Sequence, residues 1–148
     1  PHEMGEPAEL GRELRAIVDA LGPDERAVIE IHESAVTDLA AMERIRTQLR
    51  ALGVGLAYDD FGAGQSRLME LVEVPPDYLK LDMSLVRDID RSGKRQELVR
   101  ALVHVMTDLG IAVLAEGVER EAEGATCIEL GCALGQGYLY GRPAPAGA

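Results

Sequence analysis

Apolar positions along the chain follow two spacings. Leu10, Leu14, Ile17, Val18 and Leu21 recur at helical spacing, and Gly22-Pro23 stops that stretch. From 28 to 33 the period drops to two, with Ile29 and Ile31 on one side and Glu30 and His32 on the other, which predicts a strand. Leu39, Met42, Ile45, Leu49 and Leu52 form the next helical stripe, followed by Gly53 where a helix commonly ends. Further strands are expected at 54–59, at 78–82 after Pro75-Pro76, and at 111–115. Between the last two, Leu98, Leu102, Val105 and Leu109 predict a helix closed by Gly110. A short helix over about 121–130 ends at Gly131, and a last short strand leads into Gly135-Gln136-Gly137.

Strands and helices in this rhythm predict an α/β fold of roughly five βα units with parallel strands. The stretch 60–75 reads as one long connection beginning with Gly62 and Gly64, a candidate functional loop. Polar residues gather at the strand ends: Glu30 and Glu33, then Asp59 and Asp60, then Lys80 and Asp82, then Glu116 with Glu119 beyond it, and Gln136. In parallel βα architectures that edge carries the chemistry, because its loops vary while the sheet holds them. Converging carboxylates repel one another and are costly to bury. Lys80 alone cannot neutralise them, so divalent cations of the oxygen-seeking kind, Mg²⁺, Mn²⁺ or Ca²⁺, are the natural complement. Two such ions can clamp the attacking and leaving oxygens of a phosphoryl group. Lys80 would orient or deprotonate a water, or offset phosphate charge, and Gln136 would hold the same water. Singly, each residue has a plainer reading: Asp59-Asp60 as a turn or cap, Lys80 as a solvated side chain, His32 as a packed histidine.

At 148 residues with 47% hydrophobic positions and a mean hydropathy of −0.03, the chain supports a core and is one domain or part of one. A net charge of −11 argues against binding a nucleic acid polymer through the general surface, yet leaves room for a small anion bridged by cations. No apolar run is long enough to cross a bilayer. Cys127 and Cys132 have no second pair, which reads as buried thiols in a reducing cytoplasm rather than a zinc site.

Five motifs occur in order: IEIHE (29–33), YDDFGAGQS (58–66), DYLKLDMS (77–84), AEGVE (115–119) and GQGYLYGRP (135–143). The series resembles the EAL family of cyclic di-GMP phosphodiesterases. The resemblance implies a partial TIM-type (β/α) barrel, with 1–148 forming the C-terminal portion of the domain; the Pro/Ala/Gly composition after Arg142 separately predicts a disordered tail at 144–148. It implies metal-dependent hydrolysis of cyclic di-GMP to the linear dinucleotide, with one or two Mg²⁺ or Mn²⁺ ions. Glu30, Asp59, Asp60 and Glu116 match metal ligands. Lys80, Glu116 and Gln136 match catalytic positions, Glu33 and Glu119 loop supports, and Asp82, Arg142 and Pro143 substrate contacts. A homodimer is expected by the same resemblance, and the cytoplasmic setting by the two thiols and the lack of a membrane-length apolar run.

There are departures. The family's Glu-Ala-Leu motif and its metal-binding asparagine do not occur in this chain, which contains no asparagine. His32 stands where the family has threonine, Gln65 where tyrosine is common, and Ala63 and Met83 also differ. A closed barrel needs about 250 residues, so an N-terminal part or a partner chain is expected to complete this one. The alternative reading is a catalytically degenerate EAL-like module that acts through protein contacts or cyclic di-GMP sensing.

Overall fold

The computed structural model describes residues 7–32, 35, 38–63 and 68–145. In chain order they form α1 (Pro7–Ala20), β1 (Val28–His32), α2 (Leu39–Ala51), β2 (Gly55–Phe61), α3 (Leu68–Glu73), β3 (Tyr78–Leu81), α4 (Met83–Val86), a 3-10 turn (Ile89–Arg91), α5 (Gly93–Asp108), β4 (Ala112–Glu116), α6 (Glu121–Glu129) and β5 (Leu134–Gln136). The five strands make one sheet in sequence order, every neighbouring pair parallel. Parallel neighbours need a crossover between them, and helices supply each one. The expected α/β fold of five βα units is what the chain adopts.

The two faces of the sheet differ in burial. Leu56, Tyr58, Leu79, Leu81, Val113 and Ala115 point to the helices and are 0–2% exposed. Each such aliphatic side chain contributes about 1.5–3 kcal/mol by leaving water. Tyr58 keeps its hydroxyl satisfied there by donating to the Val74 carbonyl at 2.7 Å, and burial pushes its pKa up to about 12. On the opposite face Val28 and Leu134 are 39% and 47% exposed, with Tyr78 and Leu114 half-buried between them. This is the inner wall of an open segment of (β/α) barrel, flanked by edge strands β1 and β5.

Several sequence expectations shift. The 60–75 connection contains α3, whose Leu71 alone is buried while Leu68, Met69 and Val72 are exposed; a six-residue helix offers too little periodicity to stand out. In α5 the stripe of Leu98, Leu102, Val105 and Leu109 is the wrong one. Val99, Val103 and Met106 are buried, and Leu98 and Val105 are about half exposed. Both stripes have helical spacing, Leu102 of the first still packs partly against the core, and the surface that α5 meets, not residue type, selects the second. Strand 78–82 ends one residue early. Asp82 leaves the sheet to cap α4, its carboxylate accepting the Ser84 N–H at 2.9 Å. It therefore does not share a strand face with Lys80. Strand 54–59 instead runs through Asp60 and Phe61. Cys127 and Cys132 are free and buried, as expected.

Candidate functional site

Strict alternation would send Asp59 and Asp60 to opposite faces of β2. A bulge prevents this. Tyr58 pairs with Leu79 and Phe61 with Leu81, so β2 uses one more residue than β3 over the same span. Asp60 absorbs the irregularity with φ 58°, a left-handed conformation costing roughly 1–2 kcal/mol for a residue with a Cβ. Its N–H donates to Asp59 Oδ1 at 2.9 Å, which offsets part of that cost. The consequence is chemical: carboxylate oxygens of Asp59, Asp60 and Glu116 all lie within 4.8 Å of one another.

Lys80 rises into this group from the centre of the sheet. It is 4% exposed, and its Nζ donates to Glu30 Oε2 at 3.0 Å, with Asp59 Oδ1 at 3.3 Å and Glu116 Oε1 at 3.7 Å. Burial works to lower its pKa, but the Glu30 hydrogen bond and the charges of Glu116, Asp59 and Glu30 outweigh it and hold the group above its ordinary value. Glu116 is shifted up in turn. Burial is the main cause, the Lys80 charge opposes it, and Asp59 and Asp60 add to it. Three carboxylates thus face one ammonium, with Asp60 beside two of them, and the donor atoms on offer are hard oxygens suited to a divalent cation.

Sequence reasoning undervalued His32. Its Nε2 lies 2.8 Å from Asp60 Oδ2. The available signal was the period-two pattern that puts His32 on the face of Glu30, one strand away from the Asp-Asp pair.

Gln136 ends β5 and pairs in register with Glu116 at the end of β4. The chain crosses there at close range. Val118 N–H donates to the Gln136 carbonyl at 3.1 Å, and Leu139 N–H to the Val118 carbonyl at 3.1 Å. Gly137 sits at φ 151°, and a Cβ on it would lie 2.2 Å from the Val118 carbonyl oxygen, so only glycine fits. A groove of about 570 Å³ opens beside this crossing, lined by Glu116, Glu119, Gln136, Tyr138, Arg142 and Pro143 among others. The Arg142 guanidinium lies 4.6 Å above the Tyr138 ring centroid, a cation–π stack on the wall of that groove. A second cavity of about 230 Å³, lined by Arg26, Arg46 and Arg50, lies at the opposite ends of the strands and far from the carboxylates in the fold.

The structure therefore brings together Glu30, Asp59, Asp60, Lys80 and Glu116, and places Glu119, Gln136, Arg142 and Pro143 along the adjoining groove. Asp82 caps α4 instead, and Glu33 lies outside the described residues.

A second charged group escaped the sequence reading. Glu123 is 3% exposed, and its carboxylate accepts the backbone N–H groups of Asp88, Glu119 and Arg120 at 2.9, 3.0 and 3.1 Å. Arg120 Nη2 reaches Asp90, Asp88 and Glu123 at 2.7, 3.0 and 3.3 Å. Burial raises the Glu123 pKa, but those N–H donors and the guanidinium more than reverse it, and the net shift is downward. This group pins the loop between Glu116 and α6 to the turn after α4.

The sequence pattern of the EAL domain matches residues 3–143. The chain belongs to the EAL domain family. The cyclic di-GMP phosphodiesterase RocR of Pseudomonas aeruginosa is 35% identical over 148 residues, covering 98% of this chain and 37% of RocR. The cyclic di-GMP phosphodiesterase PdeR of Escherichia coli is 41% identical over 120 residues, 80% of this chain and 18% of PdeR. Among solved structures, the manganese/cyclic di-GMP complex of Klebsiella pneumoniae BlrP1 superposes with a TM-score of 0.82 at 39% identity, covering 95% of this chain and 36% of that one. The EAL domain of Mycobacterium smegmatis DcpA gives 0.80 at 33% identity, covering 93% of this chain and 62% of that one. This EAL chain thus spans well under half the length of the curated relatives it matches. Its five parallel strands are the corresponding part of a TIM-barrel-like fold.

Proposed function

We propose that this EAL chain carries the catalytic edge of a phosphodiesterase that hydrolyses cyclic di-GMP to the linear dinucleotide. The observation that carries the reading is the convergence of Asp59, Asp60 and Glu116 around a buried Lys80. Its relatives carry that activity by name, and BlrP1 holds manganese with the cyclic dinucleotide. Glu30, Asp59, Asp60 and Glu116 would hold one or two Mg²⁺ or Mn²⁺ ions. Such ions supply Lewis-acid stabilisation of the phosphoryl oxygens and lower the pKa of a bound water. Without bound ions, the surrounding carboxylates hold the Lys80 pKa above its ordinary value. Lys80 would orient the water and offset phosphate charge. Gln136 lies at the neighbouring strand end and would hold the same water from the other side. Arg142, stacked on Tyr138, and Pro143 would contact the nucleotide along the groove, as would Asp82 at the start of α4, with Glu33 and Glu119 supporting the loops.

One observation favours a second reading, a module that binds the nucleotide without cleaving it. Glu30 has its side chain 49% exposed and held by Lys80, and among the described residues its strand β1 has a sheet neighbour on one side. The half-exposed inner wall is the surface that further strands of the same domain, or a homodimer partner, would cover. The setting proposed is the cytoplasm; no helix among the described residues is long and apolar enough to cross a membrane.

The test is direct. The chain is mixed with cyclic di-GMP and Mn²⁺, and the nucleotides are separated by chromatography. Linear dinucleotide that stops forming when a chelator is added supports the enzyme. Cyclic di-GMP retained by the protein but uncleaved supports the binding module.

A further inference from the structure

His32 closes β1 and is the register partner of Asp59. Its contact with Asp60 crosses from one strand to the next at a place where Asp60 is already constrained. The Asp60 backbone is left-handed and its N–H is committed to Asp59. What remains free is rotation of the carboxylate. Two other carboxylates stand within 4.8 Å and repel it. His32 Nε2 lies 2.8 Å from Oδ2, so a proton carried on that nitrogen would oppose the repulsion by holding one oxygen from outside the group. The imidazole itself is not among the side chains whose ligand atoms lie within 4.8 Å of one another there. Its contact with Asp60 joins it to the cluster.

We infer that His32 is a positioning residue, fixing Asp60 so that the carboxylate offers its free oxygen to a divalent cation shared with Asp59 and Glu116. Partners of this kind orient metal-binding carboxylates and raise affinity without touching the ion. The inference rests on the cation-holding reading proposed above. It also gives a chemical use to the histidine at this position: a hydroxyl side chain is shorter, and an imidazole reaches across the strand spacing to the bulged residue.

The experiment is calorimetric titration of Mn²⁺ into the whole chain without nucleotide, comparing wild type, His32→Ala and His32→Gln. The amide N–H of glutamine reaches about as far as imidazole Nε2, so it replaces the donor. His32→Ala is expected to bind Mn²⁺ roughly 10–100-fold more weakly, and His32→Gln to recover most of the affinity. Because the His32 side chain is 55% exposed, thermal unfolding without Mn²⁺ should be the same for all three. Equal affinity in the alanine variant overturns the inference, as does a glutamine variant as weak as alanine. An alanine variant that melts early without Mn²⁺ marks a structural role and overturns it too. Wild type that binds no Mn²⁺ overturns the cation reading itself, and this inference with it.

Discussion

The Lys80 group and the Arg120 group each set several carboxylates around a central base, with His32 at the margin of the first and Arg91 at the margin of the second, and they differ in how the acids are satisfied. Around Arg120 the acids are satisfied locally. Glu123 takes three backbone N–H groups, and the guanidinium spreads its donors over Asp88, Asp90 and Glu123. The result ties two loops together and leaves little unmet demand. Around Lys80 the acids come from three strands and meet a single ammonium, and among the described residues one backbone N–H, that of Asp60, is seen to donate to them. Negative charge is left over there, beside an open groove. A carboxylate cluster supplied with backbone donors holds the fold; the one left with surplus negative charge is the one proposed to receive a cation.

The contrast breaks first at Lys80. Lys80→Met keeps the buried stem and removes the charge, and turnover of cyclic di-GMP should fall about 10²–10³-fold. Initial-rate measurements with saturating Mn²⁺ check this; unchanged kcat would remove Lys80 from the chemistry. Next comes Glu123→Ala, which strands three backbone N–H groups and should cost roughly 3 kcal/mol in urea unfolding. Arg120→Ala should cost less than Glu123→Ala in the same assay, because the guanidinium is partly exposed and the backbone donors keep their acceptor.

The smallest effect is also the sharpest, because the two groups titrate with opposite sign. Glu123 has its pKa depressed by folding, so its stabilisation is present above the ordinary value of 4.5 and is lost as pH falls through the lower folded value. Glu116 has its pKa raised, so its contribution is present below 4.5 and is lost as pH rises through the higher folded value. Stability measured against pH should therefore lose an acid-side slope in Glu123→Gln and a slope above 4.5 in Glu116→Gln. The same slope change in both variants would erase the distinction between the clusters.

Much of this was legible in the residue order. The βα rhythm, the strand-end position of the acids and the solitary Lys80 all follow from spacing and type. What spacing could not show is the bulge. Asp59-Asp60 looks like a strand end or a turn, and only the register of Phe61 against Leu81 reveals that both carboxylates face one way. The buried stripe of α5 was hidden because Leu98 and Val105 are as apolar as Val99 and Val103, and the choice is made by the surface they meet. Glu123 was hidden because its partners are backbone N–H groups from 35 residues away and nearby, which no side-chain pattern encodes. His32 was visible on the right face, but its reach to Asp60 depends on the same bulge.

The most direct test of the central claim is a Mn²⁺ titration of wild type against Asp59→Asn, followed by heat of binding and by the thermal midpoint. Wild type should bind, and at an ion concentration 100 times its Kd should gain about 2.7 kcal/mol of stability. Asp59→Asn should bind far more weakly and gain little. Equal binding by both proteins, or no binding by either, would contradict the account.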